Sequence, residues 1–90
     1  MLLAFADERS LAEKLAHELG CELAFVAEHR FPDGELKLTL PGKLPSSVVV
    51  LRGLQRPNER LVQLLLTAKT ARRLGAKRLA LASPYLAYMR

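Results

Sequence analysis

The sharpest local feature of the sequence is Arg30-Phe31-Pro32-Asp33-Gly34-Glu35, which sets an aromatic ring and two carboxylates at alternating positions of a segment constrained by Pro32 and Gly34. In an extended segment alternate side chains share a side, so Phe31, Asp33 and Glu35 would project together. A ring face for stacking and carboxylates that accept from an exocyclic amine are what recognition of adenine can use. The same residues also suit an ordinary polar turn with one half-buried Phe, and the motif alone leaves both readings open. Other chemistry is sparse. The lone Cys21 cannot form an internal disulfide, and Cys21, His17 and His29 lack the spacing of a zinc site, so they read as a core thiol and two surface imidazoles. Ser10, Ser46, Ser47 and Ser83 show no pattern linking them to either histidine, and Ser10 and Ser83 already have uses as a helix cap and a turn residue. Neither the GxxxxGK[ST] phosphate loop nor the GxGxxG fingerprint is present.

The elements that must position these residues follow from apolar periodicity. Residues 2 to 6 (LLAFA) read as a strand buried on both faces. The spacing then predicts a helix capped by a Ser10-Leu11-Ala12-Glu13 box, with Leu11, Leu15 and Leu19 beside Ala12 and Ala16 as its apolar stripe and Gly20 as its left-handed stop. Residues 23 to 27 (LAFVA) make a second strand, parallel to the first if the two share a sheet. His29 to Glu35 is predicted as a turn or exposed loop, after which Leu36, Leu38 and Leu40 alternate with Lys37 and Thr39 as in a half-solvated, antiparallel strand. Residues 48 to 51 (VVVL) form another buried strand. Asn58 can cap a long helix whose core face is Leu61, Leu64, Leu65, Ala68 and Ala71, with Arg72 and Arg73 at its negative end and Gly75 closing it. Residues 79 to 82 (LALA) complete a second strand–helix–strand unit, and Ser83 to Arg90 is too aromatic for a frayed tail, so the chain is expected to be cut short there.

Ninety residues, half of them hydrophobic, describe one small domain. No stretch approaches the roughly 18 apolar residues of a membrane helix, and the apolar start runs into Asp7 and Glu8, unlike a signal peptide, so a cytoplasmic protein without membrane attachment is expected. The net charge of +5 hides a split: residues 1 to 35 carry eight acids and three bases, a net of −5, and residues 36 to 90 carry one acid, Glu59, and eleven bases, a net of +10. Such polarity points to an anionic ligand on the second half or to self-association of acidic and basic surfaces. The bases are scattered along a helix and loops rather than gathered with stacking aromatics, which argues against nucleic acid.

Taken in order, these pieces resemble the N-terminal part of ribose-phosphate pyrophosphokinase, the phosphoribosyl pyrophosphate synthetase family. The resemblance rests on Arg30-Phe31-Pro32-Asp33-Gly34-Glu35, on Pro57-Asn58-Glu59 opening the long helix, on Ala71-Arg72-Arg73-Leu74-Gly75-Ala76 closing it, and on Pro84-Tyr85-Leu86-Ala87-Tyr88-Met89-Arg90, which is similar to the family's Pro-Tyr-x-x-Tyr-x-Arg segment. It implies a phosphoribosyltransferase-like, Rossmann-like α/β fold of three layers, mostly parallel, with an antiparallel strand after the FPDGE loop. Residues 1–90 would be its N-terminal domain. The implied activity transfers diphosphate from ATP to ribose 5-phosphate, giving AMP and phosphoribosyl pyrophosphate for nucleotide biosynthesis, with Mg2+ as cofactor. By the same resemblance Phe31 stacks on adenine, Asp33 and Glu35 receive its polar edge, and Arg90 contacts ATP, in a homo-oligomer whose adenine loop serves a neighbouring subunit. The family's metal ligands, basic catalytic loop and ribose-phosphate loop correspond to positions beyond Arg90, so the 90-residue chain alone is expected to be inactive. Leu54-Gln55-Arg56 replaces the small hydroxyl residues linked to phosphate regulation in many bacterial members, and the PYLAY form looks more like the archaeal-type branch. The alternative reading is a non-catalytic paralogue or regulatory subunit of a full-length synthetase.

Overall fold

The apolar run at the start of the chain becomes one of two inner strands of a parallel sheet, flanked on both sides by strands that follow it in sequence. A computed structural model describes residues 1–54 and 57–83. The predicted roles of the Pro84–Arg90 segment, Arg90 included, and of Gln55-Arg56 lie outside the described residues. In chain order the elements are β1 (Leu2–Ala4), a 3-10 turn (Ala6–Glu8), α1 (Arg9–Leu19), β2 (Leu23–Phe25), β3 (Ala27–Arg30), β4 (Leu36–Thr39), β5 (Ser47–Leu51), α2 (Pro57–Arg73) and β6 (Arg78–Ala82). Four strands form a parallel sheet in the order β2-β1-β5-β6, and β3 and β4 form a separate antiparallel ribbon.

Strand parity divides the core. Leu2, Ala4 and Leu51 face α1 through Ala12 and Ala16, while Leu3, Phe5, Val48 and Val50 face the other way, onto Ala71, Leu64 and Leu74 of α2 and its C-terminal turn. Leu40 and Val26 are buried in this second cluster and Leu38 packs against it, so the base of the ribbon is anchored on the α2 side. The result is the expected α/β layering of helix, sheet and helix. Because β1 connects first to β2 on one side while β5 and β6 lie on the other, the carboxyl ends of β1 and β5 border the crevice where ligands of open α/β sheets bind.

Four local expectations are corrected. Helix α1 begins at Arg9 with Glu8 as its N-cap and no side-chain cap bond, so Ser10 is an exposed helical residue and not a cap. The Glu8 carboxylate does not cap the helix either, because it is taken up by Arg52 and Arg60 across the crevice. The predicted second strand ends at Phe25: Val26 still donates its N–H to the Ala4 carbonyl at 2.8 Å, and the chain then leaves the sheet to pair Ala27 with Thr39. His29 and Arg30 therefore belong to a strand, and the turn shrinks to residues 31 to 35. On α2 the most buried line is Gln63, Thr67 and Ala71, whereas Leu65 is 69% exposed. Both glycine stops hold, with Gly20 at φ 64° and Gly75 at φ 117°.

Candidate functional site

The five residues Phe31 to Glu35 are exposed at the tip of the β3–β4 ribbon. They are not extended, so alternation does not gather them. A tight turn does: Phe31 N–H donates to the Glu35 carbonyl at 2.8 Å and Gly34 N–H to the Phe31 carbonyl at 2.9 Å, with Gly34 at φ 90°. Asp33 stiffens the turn by accepting the Glu35 N–H on Oδ1 at 3.0 Å, the self-capping habit of aspartate in turns. Arg30 Nη1 reaches the Gly34 carbonyl at 3.4 Å. The Phe31 ring meets His29 edge-on, with centroids 4.4 Å apart and planes at 82°. The structure thus brings Phe31, Asp33 and Glu35 together on one exposed turn.

A second constellation, which sequence reasoning missed, fills the crevice at the ends of β1 and β5. Arg52 follows Val48 and Val50 in parity, so its side chain turns to the α2 side while its N–H still donates to the Ala82 carbonyl at 3.0 Å. Its guanidinium is nearly buried, lies 4.2 Å over the Phe5 ring, and donates through Nη1 to Asp7 at 2.6 Å and Glu8 at 3.1 Å. Through Nε and Nη2 it donates to Gln63 Oε1. Gln63 Nε2 in turn donates to Glu28 at 2.6 Å. Arg60 adds bonds to Asp7 at 3.1 Å and the Gly53 carbonyl at 3.1 Å, and Glu8 accepts the Gly53 N–H. The lining of an adjoining cleft of about 590 Å³ includes Phe5, Asp7, Phe25, Glu28, Arg52 and Arg60.

The electrostatics of this crevice are largely self-satisfied. Asp7 and Glu8 of the acidic first part pair with Arg52 and Arg60 of the basic remainder, so part of the charge split is neutralised inside the chain, while Arg30–Glu59 pairs the opposite way. Partial burial pushes the Asp7 carboxyl up, but the Arg52 hydrogen bond and the charges of Arg52 and Arg60 outweigh it, leaving the pKa below its ordinary value. Removing one partner of a buried pair leaves the other charge uncompensated, at a cost of about 3–5 kcal/mol, so Arg52 is held for architecture as much as for any ligand. The only trace of this network in the sequence is that Asp7, Glu8 and Arg52 stand just past two buried strands, and that placement does not say that they meet. Among the described residues no group of three or more His, Cys, Asp or Glu is placed to hold a metal ion, so a metal held by protein side chains alone has no site there. No described helix is long and apolar enough to cross a membrane.

Comparison with known proteins gives a consistent result. Residues 1–90 match the family model described as the N-terminal domain of ribose phosphate pyrophosphokinase. The chain is 41% identical over 91 aligned positions to a ribose-phosphate pyrophosphokinase of Methanopyrus kandleri, covering 100% of this chain and 31% of that protein. It is 38% identical to the one from Saccharolobus solfataricus, covering 100% of this chain and 32% of the relative. The chain thus spans about a third of the length of the curated relatives it matches. Among solved structures, phosphoribosylpyrophosphate synthetase from Mycobacterium smegmatis superposes with a TM-score of 0.80 at 24% identity, over 98% of this chain and 30% of that one. A purine phosphoribosyltransferase from Pyrococcus horikoshii superposes with a TM-score of 0.65 at 20% identity, over 91% of this chain and 57% of that one. These two likenesses show the fold.

Proposed function

Because the chain belongs to the family of ribose-phosphate pyrophosphokinase N-terminal domains, we propose that it contributes adenine recognition to the transfer of diphosphate from ATP to ribose 5-phosphate. The observation that carries this reading is the exposed turn at residues 31 to 35, which gathers an aromatic ring and two carboxylates without using either carboxylate in an ion pair among the described residues. Phe31 supplies a stacking face. Asp33 spends Oδ1 on the backbone, and its other oxygen, with the Glu35 carboxylate, can accept from the exocyclic amine of adenine. Arg90 takes the matching contact to ATP. Phosphoryl transfer depends on in-line geometry and on neutralising charge around phosphorus. The base-binding turn contributes to the first of these by fixing one end of the nucleotide.

Mg2+ and ribose 5-phosphate are held, on this reading, by parts of the enzyme other than the described residues. The working unit is a cytoplasmic homo-oligomer in which the turn of one subunit serves its neighbour. The ribbon's position outside the main sheet and the exposed Val62, Leu65 and Leu66 on α2 support that arrangement.

Base–aromatic stacking is worth about 1–3 kcal/mol per base, so Phe31→Ala should weaken ATP binding about 5- to 150-fold in the complete enzyme. Titration calorimetry with ATP, beside kinetic measurement of the KM for ribose 5-phosphate, checks this. Equal ATP affinity in the two proteins would sink the assignment.

A further inference from the structure

Among the described residues the ribbon pairs with no strand of the main sheet, and an isolated two-stranded hairpin is at best marginally stable in water. Its base is fixed by Val26, Leu38 and Leu40, but all four residues of β3 are exposed. Two polar ties reach β3 from the first turns of α2. Glu59 accepts from Arg30 Nη2 at 2.9 Å, and Gln63 donates to Glu28 at 2.6 Å. The spacings agree. Residues i and i+4 of a helix are about 6 Å apart along its axis, and residues i and i+2 of a strand about 6.7 Å, so both ties can close at once.

The two ties differ in strength. Arg30 and Glu59 are each about half exposed, with side-chain exposures of 49% and 55%, so their pair is weak. Gln63 is 3% exposed, and its amide cannot turn freely. Its oxygen is committed to two donors of Arg52, which is itself fixed by Asp7, Glu8 and the Phe5 ring. That commitment leaves the nitrogen facing Glu28.

We infer that Arg52 and Gln63 form a brace from the end of β5 through α2 to β3, which makes Gln63 a positioning residue for the 31–35 turn. The inference rests on the assignment of that turn to the adenine base. It gives the crevice network a use that requires no ligand of its own: the network carries the placement of the central sheet outward to the ribbon. The Arg30 bond to the Gly34 carbonyl then extends the placement into the turn itself.

The test exploits the direction of the amide. Gln63→Glu is isosteric, keeps the oxygen that accepts both Arg52 donors, and turns the tie to Glu28 into like-charge repulsion. Adding Glu28→Gln restores a donor and acceptor across the same gap in reverse. Amide hydrogen exchange of β3 and β4 in Gln63→Glu should be about tenfold faster than in wild type, with β1 and β5 unchanged, and the double swap should return it. In the complete enzyme the KM for ATP should rise in Gln63→Glu and recover in the double swap, with the KM for ribose 5-phosphate unmoved. Unchanged ribbon exchange in Gln63→Glu, or loss that the swap does not repair, overturns the brace. If Phe31→Ala weakens ATP binding and Gln63→Glu does not, the positioning role is overturned while the adenine assignment survives. Wild-type ATP affinity in Phe31→Ala sinks the adenine assignment instead, and the exchange measurement still decides the brace.

Discussion

Asp7 is the most informative titrating residue in the domain. It sits half exposed between Arg52 and Arg60, and their combined effect holds its pKa below the ordinary carboxylate value. A carboxylate with a lowered folded-state pKa adds stability that is present above its unfolded pKa, near 3.9, and is lost as pH falls through the lower folded value. The stability gap between wild type and Asp7→Asn should therefore shrink as pH is taken from about 6 to about 3, which urea unfolding at several pH values would follow. A gap that stays constant would remove Asp7 from the network. At this scale the sequence made Phe31, Asp33 and Glu35 legible as a group because ring, carboxylates, Pro and Gly lie within five positions. Arg52, Gln63 and Glu28 were not legible, because they are neighbours only after three separate elements pack.

Among the elements, α2 shows where periodicity misleads. Counting leucines placed Leu65 in the core, yet the ridge nearest the sheet is Gln63, Thr67 and Ala71. Small and polar side chains let the helix approach the strands, and Gln63 is acceptable there because Arg52 and Glu28 satisfy its amide. The Thr67 hydroxyl, fully buried, finds no hydrogen-bond partner among the described residues. The end of α2 is set by backbone geometry. Gly75 has φ 117°, and a Cβ there would lie 2.9 Å from the Leu44 carbonyl oxygen, which is backbone and cannot swing away. Gly75→Ala should destabilise the domain by about 2 kcal/mol or more, seen as a lower urea midpoint at unchanged slope. At Gly20 a Cβ meets nothing within 4 Å, so Gly20→Ala should cost less, only the strain of its left-handed φ. Strand positions were readable to within two residues because buried parallel strands are short apolar runs. The β2–β3 break was not, since Ala27 leaves the sheet only to meet Thr39, twelve residues on.

For the whole molecule, the charge split changes meaning. The sequence set −5 against +10 and offered a ligand or a partner as the reason; Asp7 and Glu8 against Arg52 and Arg60 show that part of it closes within one chain. What remains outward is apolar as well as charged: Val62 and Leu65 are at least half exposed beside Leu66. If that face supports the proposed oligomer, Leu65→Lys should leave unfolding stability within about 0.5 kcal/mol while weakening self-association in sedimentation equilibrium. Unchanged association would place the contact elsewhere. The amino-acid sequence alone determined the succession of the four main-sheet strands and the two helices, the helix stops and the composition of the exposed turn, because each depends on residues close together in the chain. Only the tertiary structure decided which face of α2 meets the sheet, that Arg52 is buried against Asp7 and Glu8, and that Gln63 joins Arg52 to Glu28 of the ribbon. Those outcomes depend on desolvation and on distances between segments, which no local pattern encodes.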